Sequence, residues 1–133
     1  MRTLVVFAFL LLAGCAGPAT QMTDAPTVPT LTFAEGPTVE GLNVTYTLAI
    51  AGPAGSSDHI GGHYWNATQA DPTAAFSVAK GCIHVAGGGS FPASYAITCV
   101  VGSGTHYLRG HMRVTTDGVA TNYWTNEVRL TVP

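Results

Sequence analysis

The chain has 133 residues with a formal net charge of -2, and only 9% of them are charged. Average domains run to roughly 100–150 residues, so this length allows one small domain with its terminal segments. With only 5 Lys and Arg residues, the chain offers no basic surface for phosphates, and nucleic acid is excluded as an expected partner.

Residues 1–14 have the layout of a signal peptide. Arg2 precedes an apolar run from Leu4 to Leu12, and two small residues follow before Cys15. The run has 9 residues, whereas a helix needs about 20 to span a bilayer, so a retained transmembrane helix is not expected.

The sequence Leu-Ala-Gly-Cys that ends at Cys15 resembles the lipobox of prokaryotic lipoproteins. The resemblance implies cleavage before Cys15, lipidation of that residue, and anchoring at the cell surface or membrane exterior. The alternative is ordinary secretory cleavage, which would leave an exposed free thiol outside the cell. Residues 15–30 are rich in Pro, Thr and Ala and are expected to form an extended tether before a domain at 31–133.

Alternation of apolar and polar residues predicts about seven short strands. The clearest is Leu42 to Ile50, and 16 Gly and 8 Pro supply the turns between strands. The other candidates are 31–33, 59–66, 76–85, 94–101, 105–114 and 122–132. This pattern indicates an all-β antiparallel sandwich, with a barrel as the alternative.

The last two candidate strands allow their faces to be assigned. His106 shares the expected core face of 105–114, whereas Arg109 and His111 are expected to face solvent. In 122–132 the same alternation turns Trp124 inward and Glu127 outward, and Glu127 could then lie near Arg109 or His111.

Cys82 and Cys99 remain as an even pair once Cys15 is set aside, which favours a disulfide in an exported chain. They lie 17 positions apart, a loop for which chain-entropy estimates give roughly 3 kcal/mol. Metal ligation is the alternative, although no C-x-x-C motif is present.

Two pairs of segments resemble prokaryotic fibronectin type III-like modules. GTHYLRGH at 104–111 and NYWTNEV at 122–128 are similar to the last two strands of those modules, and GHYWN at 62–66 with DPT at 71–73 is similar to an earlier stretch. The resemblance covers Thr38 to Val132 and implies an immunoglobulin-like sandwich, with no catalytic residue to carry over. His106 replaces a tyrosine of the pattern, and the two cysteines are not framework residues, which suggests a sandwich stapled along an edge.

Five histidines among so few charged residues are unusual. Imidazoles suit Cu(II) and Zn(II), so these histidines predict a possible metal site. Its candidate ligands are His59, His63, His106 and His111. On a regular strand, however, His59 and His63 would lie about 13 Å apart, too far for one ion. The alternative is that the histidines only fill polar positions.

Tyr64 and Tyr123 could form an exposed aromatic platform for a protein or glycan partner. Asn43 and Asn66 begin N-x-[ST] sequons and are possible glycosylation sites.

Catalysis is not expected. The chain has no G-x-S-x-G motif, its 7 carboxylates form no arguable pair, and no cofactor motif occurs. The sequence therefore favours a non-catalytic surface lipoprotein carrying one binding or structural module, with a histidine-rich metal-binding protein as the alternative.

Overall fold

The computed structural model describes residues 26–76 and 79–133. The expected signal peptide at 1–14, lipidation at Cys15 and most of the expected tether at 15–30 lie outside the described residues. Within the part described, no helix is both long and apolar enough to cross a membrane.

Eight strands form in the described part of the chain, where the sequence predicted about seven. They are β1 (Thr30–Glu40), β2 (Asn43–Ser56), β3 (His59–Trp65), β4 (Lys80–Ala86), β5 (Ser90–Val100), β6 (Gly104–Thr116), β7 (Val119–Trp124) and β8 (Val128–Val132). The extra strand arises because the predicted run 122–132 breaks after Trp124, and both of its halves pair with β6.

The strands form two antiparallel sheets, which confirms the all-β sandwich. One sheet has the order β1-β2-β5, and the other has the order β4-β3-β6-β7 with β8 also on β6. β3 lies inside the larger sheet and pairs with β4 on one side and β6 on the other. The side chains of β3 therefore alternate between the inner face of this sheet, which packs on the other sheet, and its outer face.

The inner face of β3 lies in the core between the sheets. Ile60 is fully buried there, and Gly62 and Gly110 allow Tyr46 and Leu48 of the opposite sheet to approach closely. The core cluster comprises Leu31, Val44, Tyr46, Leu48, Ile50, Ile60, Tyr64, Cys82, Phe91, Ile97, Val101, Leu108, Met112, Leu130 and Val132.

Cys82 and Cys99 form a disulfide with a Cα–Cα distance of 5.5 Å. It joins β4 to β5, which are edge strands of the two different sheets. The predicted disulfide is present and lies at an edge of the sandwich, so these two sulfurs are not metal ligands. It links the two sheets, however, whereas an edge staple in place of an inter-sheet disulfide was expected.

Candidate metal centre

Three histidines meet on the outer face of the larger sheet because of the register of β3 and β6. His59, Gly61 and His63 alternate onto this face, and His111 of β6 lies directly opposite Gly61. Gly61 has no side chain, so the position between the two β3 histidines stays free for the three imidazoles.

The imidazoles are close enough to act together. Ring centroids lie 5.9 Å apart for His59 and His63, 4.9 Å for His59 and His111, and 5.0 Å for His63 and His111. One ligand atom from each residue lies within 4.8 Å of the others. The separation of about 13 Å expected from a regular strand applies to the backbone, and the two side chains lean toward each other over Gly61.

Aromatic rings border two members of this three-histidine cluster, His63 and His111. The ring of His111 stacks on Trp124 at 4.2 Å, and His63 lies 4.6 Å from Phe76 and 6.4 Å from Trp65. As a result His63 is 7% exposed and His111 only 2%. The expectation that His111 faces solvent is therefore wrong, because this outer face is covered by side chains from β7 and from the chain after β3.

Glu127 fastens the chain after β3 beside the cluster. Its carboxylate accepts hydrogen bonds from the backbone N–H of Gln69, at 2.8 Å, and from the hydroxyl of Thr68. Arg109, the cross-strand partner of His63, lies 3.8 Å from the same carboxylate and donates to the carbonyl of Gln69 at 2.8 Å. The predicted proximity of Glu127 to Arg109 is confirmed, and it orders the loop that leads to Phe76.

The imidazole nitrogens are largely without hydrogen-bond partners. Nε2 of His59, both nitrogens of His63 and Nδ1 of His111 are buried, and none of them finds a partner among the described residues. Nε2 of His111 lies 2.9 Å from Oδ1 of Asn122. An amide oxygen only accepts, so this nitrogen carries the proton and the lone pair of His111 is on Nδ1.

Burial keeps the cluster neutral. Burial, followed by the electrostatic influence of His111 and His59, lowers the pKa of His63 to about 4. The pKa of His111 is also lowered to about 4, mainly by burial, with the hydrogen bond that His111 donates to Asn122 acting in the opposite direction. Burial and then the charge of Arg113 lower the pKa of His59. Neutral imidazole is the form that binds metals.

The donor set fits a transition metal. Three neutral nitrogens suit copper or zinc, and a second group that orients a ligand histidine, as Asn122 does for His111, is a regular feature of such sites. Metal–nitrogen bonds of about 2.0–2.1 Å place two ligands at most about 4.2 Å apart, so the spread of 4.8 Å needs only a small side-chain movement to close.

His106, the fourth expected histidine, does not belong to the cluster. It lies on the inner face of β6, where its ring meets Tyr64 edge-on at 5.4 Å and Nε2 lies 2.6 Å from the carbonyl oxygen of Gly102. Including it in the metal site was wrong, whereas its assignment to the core face was correct.

The expected aromatic platform is also not formed. Tyr64 is 9% exposed and belongs to the core cluster, and Tyr123 packs against that cluster from β7, which is not a neighbour of β3.

Trp124 faces outward instead of inward, because the break at 125–127 interrupts the alternation from which its face was inferred. Asn43 and Asn66 are both exposed.

The sequence reasoning missed the residues that surround the imidazoles: Trp65, Phe76, Asn122 and Trp124. One usable signal was the Gly61 position between two histidines on the same strand face. A second signal was His111. It lies three residues before Val114, on the polar face of the strand 105–114, which was expected to form a hairpin with the last strand. Phe76 follows an irregular loop, and no periodicity marks its position.

No family model matches the chain, and no curated protein matches it. Among solved structures, it is similar to the crystal structure of a DUF3823 family protein from Bacteroides uniformis, with a TM-score of 0.54 and 9% sequence identity. The similarity covers 79% of this chain and 56% of that one, so the chain spans little more than half the length of that neighbour. At this identity the similarity supports the β-sandwich fold alone.

Proposed function

We propose that this protein is an exported, lipid-anchored β-sandwich module that binds a transition metal ion, copper or zinc, through His59, His63 and His111. The observation that carries the proposal is the spacing of the three imidazoles, whose ligand atoms lie within 4.8 Å of one another. The proposed role is binding, without catalysis.

The unsatisfied nitrogens support metal binding over a purely structural role. A buried polar atom without a hydrogen bond costs roughly 1–3 kcal/mol, so a cluster of such atoms reduces the stability of the metal-free protein. A bound ion would accept one lone pair from each histidine and remove that part of the cost. The cluster is therefore buried and neutral, which suits metal ligation.

The test is thermal unfolding of the purified protein with and without Zn(II) or Cu(II). An ion present at 100 times its Kd stabilises the folded state by about 2.7 kcal/mol, which raises the unfolding midpoint by several degrees. His63→Leu should abolish this rise, because it removes one of the three ligands.

The matched control is His106→Gln, which alters a histidine on the opposite face of the same sheet. It should leave the metal-dependent rise unchanged. If His63→Leu responds to metal as His106→Gln and the original protein do, or if neither of these ions nor Cu(I) added anaerobically shifts the midpoint, the proposal is wrong.

The anchoring part of the proposal is supported by sequence. Leu12 to Cys15 resembles a lipobox, and the composition of the segment 15–30 suits an extended tether between a lipid and a fibronectin type III-like domain. A lipid anchor would hold the metal site near the membrane surface. Mass spectrometry of the protein recovered from membranes should show a lipid on Cys15, and Cys15→Ser should release the protein from the membrane fraction. Membrane association that persists without Cys15 would contradict lipid anchoring.

A further inference from the structure

We infer that the three-histidine cluster selects monovalent copper, Cu(I), over the divalent ions Zn(II) and Cu(II). The inference rests on the proposed function, since it names the ion that the same site takes. Three features support it: the uncharged donor set, the engagement of the nearby carboxylates elsewhere, and the aromatic surroundings of the imidazoles.

The first feature is that no negative charge is available to neutralise a bound ion. Among the described residues, the group of potential ligands at this site contains three histidines and no carboxylate or thiol. The cost of moving an ion out of water grows with the square of its charge, so a divalent ion costs about four times as much to desolvate as a monovalent ion of similar size. Because His63 and His111 are buried, an ion bound to them leaves water, and this difference in desolvation cost affects its affinity.

The second feature is that the acidic residues flanking the site already have cationic partners. Asp58, which directly precedes His59, lies 3.6 Å from Arg113 and also accepts a hydrogen bond from Thr115. Glu127 is held by Arg109, by the hydroxyl of Thr68 and by the backbone N–H of Gln69. Neither carboxylate belongs to the group of potential ligands formed by the three histidines, so the donor set is neutral.

The third feature is the ring of aromatic side chains. Zn(II) in three-histidine sites keeps water or substrate as a fourth ligand, and Cu(II) favours tetragonal sites with nitrogen and oxygen donors. Here the neighbours of the imidazoles are Trp124, Phe76 and Trp65. Indole and phenyl faces attract cations but offer no lone pair. Cu(I) and Zn(II) both have a filled d shell, but the singly charged Cu(I) accepts three nitrogen ligands without a fourth.

Trp124 is the residue through which this selectivity can be separated from metal binding itself. Its ring stacks on His111 at 4.2 Å and lies 5.6 Å from His63, so it borders two of the three ligands without being one. Replacing the indole with a smaller aliphatic side chain opens the cluster to water, which favours ions that need an additional oxygen ligand.

The experiment is an anaerobic titration of the purified protein with Cu(I), using bicinchoninate as the competing chelator, and a parallel titration with Zn(II) against a zinc chelator. We expect one equivalent of Cu(I) with a Kd at least 100-fold below that for Zn(II), and retention of Cu(I) in a tenfold excess of Zn(II). His106→Gln serves as the control and should reproduce both values.

Trp124→Leu should lower Cu(I) affinity at least tenfold while leaving Zn(II) affinity unchanged or raised. Trp124→Phe keeps an aromatic face, and its Cu(I) affinity should lie between those of the original protein and Trp124→Leu. This variant keeps the inference testable if Trp124→Leu folds poorly. Zn(II) binding equal to or tighter than Cu(I) binding in the original protein would overturn the inference and leave the proposed function standing. Failure of every ion to bind would overturn both.

Discussion

The two faces of β3 are both buried, yet they are buried in different ways. On the inner face Ile60 and Tyr64 pack among apolar side chains of the opposite sheet, with Gly62 between them. On the outer face His59 and His63 occupy the corresponding positions on either side of Gly61, and their nitrogens have few hydrogen-bond partners. The inner face of β3 therefore stabilises the fold, whereas the outer face lowers the stability of the metal-free protein until an ion binds.

The first prediction tests the inner face, where the largest effect is expected. Ile60 is fully buried, so Ile60→Ala should lower the free energy of unfolding by about 2–5 kcal/mol through lost burial and an added cavity. Urea unfolding measures the loss. Ile60→Val, expected to cost about 0.5–1.5 kcal/mol, is the milder variant if the alanine protein does not fold. The loss should be the same with and without metal, and a loss that disappears when metal is added would break the distinction between the faces.

The second prediction concerns the response of the metal-free outer face to acid. An unfolded histidine binds a proton near pH 6.5, whereas His63 and His111 do so only near pH 4 in the folded protein. Between these values the unfolded chain holds more protons, so this contribution to stability is complete above pH 6.5 and is lost as the pH falls toward 4. His63→Leu should reduce the loss by an amount on the order of 2 kcal/mol.

Urea unfolding at pH 7.5 and pH 4.5, in the presence of a chelator, measures that difference. His106→Gln should behave like the original protein. Equal pH dependence in His63→Leu and the original protein would mean that the cluster is not a buried neutral group.

The third prediction concerns the loop beside the cluster. Glu127→Gln keeps the size of the side chain but removes the charge that holds Arg109 and accepts the hydrogen bonds of Thr68 and Gln69. We expect a loss of about 1 kcal/mol and faster amide hydrogen exchange in the segment 66–71. Exchange that increases equally across β2 would indicate general destabilisation instead.

The smallest effect is expected at the exposed rim. Arg113 and Asp58 form an ion pair with half-exposed side chains, so Arg113→Gln should change stability by less than about 1 kcal/mol. The charge of Arg113 helps to lower the pKa of His59, and its removal should raise that pKa in an NMR titration. A pKa of His59 that falls in this variant would contradict the described electrostatics.

The fold was accessible from the sequence because its evidence is local. Turn-forming residues on either side delimited the stretch 59–66, which became β3 within one residue, and cysteine counting predicted the disulfide between Cys82 and Cys99. The predicted end of the second strand at Ile50 was wrong, since β2 continues to Ser56 and pairs with the start of β5 after a register shift. Gly and Pro in that stretch were compatible with an irregular strand end.

The candidate site was only partly accessible because it depends on pairing between strands. His59 and His63 were proposed as ligands from sequence, but a regular strand separates their backbones too widely, and the register that sets His111 opposite Gly61 cannot be read from either strand alone. Trp124 was assigned to the wrong face because three residues break the strand after it. The imidazoles are buried by residues distant in the sequence, such as Trp124, and no local sequence pattern predicts that burial.

The central claim is that His59, His63 and His111 bind one metal ion, and histidine side-chain NMR of the nitrogen-15-labelled protein tests it most directly. Titration with Zn(II) or anaerobic Cu(I), both diamagnetic, should shift the imidazole nitrogens of these three residues together and reach completion at one equivalent. The nitrogens of His106, on the inner face, should remain unchanged. Shifts confined to His106, or no shift at the three clustered histidines in the presence of excess ion, would contradict the account.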